Sequence, residues 1–147
     1  MTAFIGIDPG KSGGLALLAA DGRVIDVVKM PATECDLFET LEEWGLGGED
    51  GRIWATLEFV RSSPQMGVTS AFTFGRGYGA LRMALIAAAI PFEEVTPAKW
   101  QNAMKCRTKG DKNVSKRRAQ ELFPGQKVTH AIADALLIAE YGRRTAV

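Results

Sequence analysis

The sequence predicts an α/β fold with a five-stranded mixed sheet, in which a three-stranded antiparallel meander is joined by two further strands and flanked by helices. Three observations support this prediction. Short apolar runs rich in strand formers open the chain and are separated by tight-turn signals. Further along, strand-like runs alternate with segments of helical spacing. The length of 147 residues suits one hydrophobic core, so we expect a single domain over residues 1–147.

The strands are predicted from apolar runs and from the turns that stop them. The first run, Phe4-Ile5-Gly6-Ile7, ends at Asp8-Pro9-Gly10. Asp21-Gly22 supplies the positive φ of a hairpin turn between the second and third runs. The five strands are expected at 4–7, 13–19, 24–30, 53–57 and 92–95.

The helices are predicted where apolar residues recur at helical spacing behind capping residues. They are expected at 33–44, from 69 or 70 to 90, from Thr96-Pro97 onwards, at 115–123 and at 130–141. Gly142 is expected to end the last helix. The segment that precedes residue 115 is expected to be a loop.

Three glycines interrupt the long second helix. Gly75, Gly77 and Gly79 would each cost a helix interior about 1 kcal/mol relative to alanine. They indicate either that another backbone packs closely there, for which a dimer contact is one candidate, or that the helix begins later, near Tyr78.

The composition excludes several classes of protein. Apolar residues make up 46% and charged residues 24%, which is typical of a globular chain and not of a disordered one. Asp8 and Lys11 interrupt any signal-peptide core, and the longest apolar run, 83–90, is too short to cross a bilayer. Cys35 and Cys106 form neither a zinc motif nor a disulfide framework. We therefore expect a cytoplasmic protein without a membrane partner.

The charge is unevenly distributed along the chain. Residues 1–60 hold four Lys/Arg and eleven Asp/Glu, a net charge of −7, whereas residues 61–147 hold fourteen and six, a net charge of +8. Within the second part, 105–118 carries seven positive charges and one negative. A local basic segment on a near-neutral protein indicates either a solvated surface loop or a polyanionic partner contacted by one surface.

Three acidic residues stand out by their context. Asp8 and Glu58 each end a predicted strand, and Asp134 lies among apolar residues of the last helix. If the first and fourth strands are neighbours, Asp8 and Glu58 meet at the carboxyl edge of the sheet. His130 is the single histidine and lies one helical turn before Asp134. Clustered carboxylates favour hard cations such as Mg²⁺, and two such ions can clamp a scissile phosphate.

Four segments of the chain, in this order and spacing, resemble the RuvC-type resolvases, which are ribonuclease H-like nucleases that cut four-way DNA junctions. The segments are Ile5-Gly6-Ile7-Asp8-Pro9-Gly10 with Gly13-Gly14-Leu15-Ala16, Leu57-Glu58-Phe59-Val60, Phe72-Thr73-Phe74-Gly75-Arg76-Gly77-Tyr78-Gly79, and His130-Ala131-Ile132-Ala133-Asp134-Ala135-Leu136. The similarity covers almost the whole chain, in a form typical of compact, often phage-borne members.

The resemblance implies an Mg²⁺- or Mn²⁺-dependent endodeoxyribonuclease with two ions per site and no obligate small-molecule cofactor. It implies Asp8, Glu58 and Asp134 as catalytic metal ligands. It also implies a homodimer in a bacterial cell whose subunits make paired symmetric nicks, leaving a 5′-phosphate and a 3′-hydroxyl. The family places its fourth ligand at the position of Ala131, so we expect His130, one residue earlier, to take this role.

The basic segment gains a role from this resemblance. We expect its members, together with one aromatic side chain that stacks on the junction, to contact DNA. The set is Lys105, Lys109, Lys112, Lys116, Arg117 and Phe74. Some family members carry a stacking aromatic where this chain has Arg61, so Phe72 or Phe74 is expected to replace it.

The sequence leaves alternatives open. A ribonuclease H-like nuclease could act on flap DNA or on RNA, because the fold does not fix the substrate. The Asp8-x-Gly10 hairpin also occurs in actin-like phosphate-binding enzymes, which normally need two such domains. A DNA-binding protein that keeps the fold without catalysis is the third reading.

Overall fold

The computed structural model describes residues 2–47 and 49–146, with the backbone alone at residue 49. Within these residues, five strands and five helices follow one another, and a 3₁₀ turn at Glu49–Gly51 precedes the fourth strand. They are β1 (Ala3–Asp8), β2 (Gly14–Leu18), β3 (Val24–Lys29), α1 (Glu34–Leu46), β4 (Ile53–Glu58), α2 (Val68–Ala87), β5 (Phe92–Val95), α3 (Pro97–Ala103), α4 (Lys112–Leu122) and α5 (His130–Thr145).

The sheet has the order β3-β2-β1-β4-β5. The pairs β1·β2 and β2·β3 are antiparallel, whereas β1·β4 and β4·β5 are parallel. The predicted mixed sheet and its opening meander are therefore confirmed. Because β1 and β4 are parallel neighbours, their carboxyl ends lie at the same edge of the sheet.

Helices cover both faces of the sheet. On one face, Leu41 of α1 and Leu85 of α2 pack against Ile5, Ile7 and Leu57 of the strands. On the other face, α3, α4 and α5 form a second core. Its buried members include Ala16, Leu18, Trp100, Ala119, Leu136 and Leu137.

Glycines allow α5 to lie directly on the sheet. A Cβ at Gly6 would collide with the backbone of Ala135 and Ala139, and a Cβ at Gly14 would lie 2.7 Å from the carbonyl oxygen of Ala131. Gly142 of α5 approaches the side chain of Thr56 in β4 just as closely. This close contact brings the side chains of α5 to the ends of β1 and β4.

Strand alternation then sets where the two strand-end acids point. Successive side chains of a strand face opposite sides of the sheet, so Asp8 shares the side of Gly6 and Glu58 the side of Thr56. Gly6 and Thr56 both face α5. Both carboxylates therefore lie on the α5 side of the sheet.

Several helix boundaries differ from the sequence prediction. The helix α2 ends at Ala87 and not at residue 90, because Ala88 caps it and Ala89 takes a positive φ of 55°. The long helix α2 runs through its glycines without a break, so a start near Tyr78 was wrong. The helix expected at 115–123 begins at Lys112, because Asp111 caps it by accepting from the N–H of Asn113. The last helix continues past Gly142 to Thr145, because that glycine serves close packing.

Two further observations concern α2 and the membrane prediction. A Cβ at Gly75, Gly77 or Gly79 would meet nothing within 4 Å, so no other part of the described chain packs on these glycines. Within residues 2–47 and 49–146, the structure contains no helix that is long and apolar enough to cross a membrane.

Candidate active site

Three carboxylates from three elements converge at one edge of the sheet. Asp8 ends β1, Glu58 ends β4, and the residues just before them, Ile7 and Leu57, are register partners. Asp134 lies one turn into α5, above these strand ends. The charges of Asp134 and Glu58 act on the pKa of Asp8, and the charge of Asp134 acts on the pKa of Glu58.

Burial and repulsion between neighbouring carboxylates raise the pKa values of two of these acids. Burial, followed by the charges of Asp134 and Glu58, raises the pKa of Asp8 from 3.8 to about 8. Burial and the charge of Asp134 raise the pKa of Glu58 from 4.5 to about 7, although a hydrogen bond from Trp100 opposes this shift. Without a cation, the site therefore keeps protons at neutral pH that ordinary carboxylates would lose.

Asp134 is half-buried, and its neighbours offset only part of the cost of burying its carboxyl group. Burial raises the pKa of its carboxyl group, against the effects of the Ser115 hydroxyl and the charges of Lys112 and His130. Its Oδ1 atom is buried and has no hydrogen-bond partner among the described residues. An unpaired carboxylate oxygen in such surroundings is costly unless a cation reaches it.

A cavity of about 360 Å³, which we call the acidic cavity, opens beside two of these acids, Asp8 and Asp134, whereas Glu58 does not line it. Asp8 and Asp134 line it together with Lys112, Ser115 and His130. The hairpin between β1 and β2 and the ring of Phe74 complete the wall. The predicted neighbourhood of His130 and Asp134 is thus present, with His130 exposed at the first turn of α5.

The donor atoms fit Mg²⁺ in its usual mode of binding. Among the residues described, no three His, Cys, Asp or Glu side chains form a cluster that could by itself hold a metal ion. Mg²⁺ seldom uses such a cage, because it keeps several waters and takes one or two carboxylates together with phosphate oxygens of the substrate. Carboxylates with raised pKa values and an unpaired Oδ1 provide this kind of partial ligand set.

The predicted DNA-contacting residues are divided between two places. Lys112 and Phe74 line the acidic cavity. The side chains of Lys105, Lys109 and Arg117 are exposed and belong to the wider surface, and Lys116 is half-buried on α4. Lys112, Lys116 and Arg117 thus stand on a helix, where the sequence had indicated a loop for the first of them.

A second, larger cavity adjoins the acidic one. It has a volume of about 890 Å³ and runs between the β3–α1 segment and the first half of α2. The two cavities share Gly10, Lys11 and Phe74. Phe72, the other aromatic considered for stacking, is 73% exposed on α2, and the Arg61 guanidinium lies 5.5 Å from the centre of the Phe59 ring.

The sequence analysis did not identify two neighbours of the carboxylates. Trp100 donates a hydrogen bond to Glu58, and Ser115 lies between the carbonyl oxygen of Lys112 and the carboxylate of Asp134. Trp100 lies in the helix that was predicted to begin at Thr96-Pro97. The hydrogen bond from Trp100 to Glu58 joins residues that are 42 positions apart, so the local residue spacing could not predict it.

The sheet order and the flanking helices define a ribonuclease H-like fold. Two solved structures share it over nearly the full length of both chains. RuvC of Thermus thermophilus in complex with a Holliday junction substrate matches with a TM-score of 0.70 and 20% identity, covering 99% of this chain and 97% of that chain. A second Thermus thermophilus RuvC structure matches with a TM-score of 0.69 and 20% identity, covering 97% and 95%. No protein-family model and no curated protein matches the sequence.

Proposed function

We propose that this protein is a metal-dependent endonuclease that resolves four-way DNA junctions. The observation that carries the proposal is the convergence of Asp8, Glu58 and Asp134 on the α5 side of the sheet. Oδ1 of Asp134 is buried there without a hydrogen-bond partner in the described part of the chain. The fold shared with RuvC, in one case bound to a Holliday junction substrate, supports the choice of substrate.

Each residue of the site has a role in this proposal. Asp8, Glu58 and Asp134, with His130 as the fourth ligand, would hold two Mg²⁺ ions, and Mn²⁺ would substitute. When bound, the metal neutralises phosphate charge and activates the attacking water. Lys112 lies at the mouth of the same cavity, where its ammonium group attracts the phosphate and offsets part of the carboxylate charge. Hydrolysis leaves a 5′-phosphate and a 3′-hydroxyl.

The DNA backbone is expected to approach along the basic side of the site. Lys112, Lys116 and Arg117 project from α4, while Lys105 and Lys109 stand on the loop before it. Phosphate contacts of this kind position the substrate but carry little sequence information. Junction shape and the geometry of the assembly therefore provide the selectivity.

Paired symmetric nicks require two copies of the site, and α2 offers a surface for a homodimer. Its exposed face carries four large apolar side chains, Val68, Phe72, Met83 and Ile86, at 57% to 88% exposure. Two of its three glycines, Gly75 and Gly79, lie on this same face and are open to a second backbone, whereas Gly77 lies on the opposite side of the helix. An apolar face that flanks small residues suits close helix packing against another copy of this chain.

A cleavage assay on end-labelled DNA tests the substrate. An immobile four-way junction, a flap, a linear duplex and an RNA–DNA hybrid are incubated with Mg²⁺ or with EDTA. The proposal predicts metal-dependent nicks at symmetric positions of the junction and little cleavage of the other substrates. Preferred cutting of the flap or the hybrid would assign the site to a different nuclease activity. Inertness on all four would leave DNA binding without catalysis, or tight binding of ATP, as the alternatives to measure.

A further inference from the structure

Trp100 connects the hydrophobic core to one of the three site carboxylates. Its indole Nε1–H donates a hydrogen bond to Oε2 of Glu58 at 2.7 Å. The ring is fully buried in the core formed by α3, α4 and α5. One end of this side chain is thus held by packing, and the other end contacts the site.

The backbone brings the two residues together. Glu58 pairs with Val95 at the end of β5, and the N–H of Phe59 donates to the carbonyl oxygen of Val95 at 2.6 Å. Thr96 caps α3 by accepting from the N–H of Lys99. The chain therefore turns directly from the strand end into the helix, and Trp100 stands one turn further on, beside Glu58.

We propose that Trp100 is a positioning residue that holds the Glu58 carboxylate ready to bind Mg²⁺. The inference deepens the proposed function and rests on it. The indole takes up one acceptor position of Oε2, and the remaining lone pairs of the carboxylate are those that can bind a cation. A rigid, buried donor reduces the number of orientations that the carboxylate can adopt. Partners of this kind commonly change metal affinity 10- to 100-fold when they are removed.

The competing explanation is that Glu58 merely satisfies a buried indole. Buried tryptophans usually find a hydrogen-bond acceptor, whatever their function. The chain contains a matched case in Trp44, which is 6% exposed and donates from Nε1 to Oδ2 of Asp26 at 3.2 Å. This second indole–carboxylate pair joins α1 to β3 and takes no part in the site. A change at Trp44 therefore removes an indole–carboxylate hydrogen bond without affecting a site carboxylate, and it serves as the control for a change at Trp100.

The test compares Trp100→Phe with Trp44→Phe. Both changes keep an aromatic ring and delete the N–H donor. Mn²⁺ affinity is measured by isothermal titration calorimetry without DNA, so the readout is independent of cleavage. We expect Trp100→Phe to bind Mn²⁺ about tenfold more weakly than the wild type. Trp44→Phe is expected to bind like the wild type, even if both variants lose similar thermal stability.

A second measurement does not depend on the folding of Trp100→Phe. In ¹⁵N–¹H spectra of the wild type, the indole resonance of Trp100 should shift when Mg²⁺ is added, while that of Trp44 stays in place. Glu58→Gln should shift the same Trp100 resonance in the absence of metal. A Trp100 resonance that ignores both changes would overturn the inference, as would wild-type Mn²⁺ affinity in Trp100→Phe. A wild-type protein that binds no Mn²⁺ would overturn the proposed function as well.

Discussion

Asp8→Asn is expected to stabilise the metal-free protein. The folded state raises the pKa of Asp8 from 3.8 to about 8, so the folded protein binds a proton at neutral pH that the unfolded chain releases. When folding raises the pKa of a group, its contribution to folding stability is fully present below the pKa of the unfolded chain. This contribution is lost as the pH rises through the pKa of the folded state. The metal-free wild type should therefore lose stability from about pH 4 to pH 8. Asparagine has the same shape and does not titrate in this range.

The size of the effect follows from the same values. Above the unfolded pKa of 3.8, Asp8 lowers the free energy of unfolding by about 1.36 kcal/mol per pH unit. The loss is roughly 1.7 kcal/mol at pH 5 and roughly 4 kcal/mol at pH 7. The advantage of Asp8→Asn over the wild type should thus grow by about 2 to 3 kcal/mol between pH 5 and pH 7. For a domain of this size, that corresponds to a shift in melting temperature on the order of 10 °C.

Urea denaturation in EDTA at pH 5, 6, 7 and 8 measures this difference. Glu39→Gln, a change of an exposed carboxylate on α1, is the control and should track the wild type at every pH. Adding Mg²⁺ should raise the stability of the wild type more than that of Asp8→Asn, because a ligand that binds the folded state stabilises it. If wild type and Asp8→Asn have parallel stability curves in EDTA, then Asp8 is an ordinary carboxylate and the cluster is not formed as described.

Three further predictions address packing, DNA binding and assembly. Gly6→Ala should destabilise the protein by about 3 kcal/mol in urea denaturation, because the new methyl group meets the backbone of α5. The control is Gly125→Ala, at a glycine with open space around it, which should stay within about 0.5 kcal/mol of wild type. Equal effects of the two changes would contradict the close packing of α5 on the sheet. The double change Lys109→Ala and Lys112→Ala should weaken junction binding. It should also lower the magnitude of the slope of log binding constant against log salt concentration by about 2, since each lost phosphate contact removes about 0.9. An unchanged slope would exclude these lysines from the DNA interface. Ile86→Glu should convert the proposed dimer to a monomer in sedimentation velocity, and a dimer that persists would direct attention away from α2.

The fold could be predicted largely from local signals. The run Phe4-Ile5-Gly6-Ile7 and the hairpin turn at Asp21-Gly22 determine strands and their connection by short-range chemistry alone. The neighbourhood of Asp8 and Glu58 also followed, because parallel neighbours end at the same sheet edge. Their common side, facing α5, follows from strand alternation once the helix is placed.

Contacts between distant segments could not be predicted in this way. The bond from Trp100 to Glu58 depends on how α3 turns back over the sheet, and Gly142 was misread because its purpose is contact with Thr56 rather than helix termination. The start of α4 was missed because its cap, Asp111, lies within a basic stretch that suggested a loop. In each case, tertiary packing decides what the local pattern leaves open.

The carboxylate cluster is proposed to be the part of the protein that cuts branched DNA. The most direct measurement incubates wild type and Asp8→Asn with the same end-labelled four-way junction in Mg²⁺ and records binding and nicking on matched samples. We predict that both proteins bind the junction and that the wild type alone introduces paired symmetric nicks. Near-normal nicking by Asp8→Asn would contradict the account, because the chemistry would then not depend on the carboxylate at the end of β1.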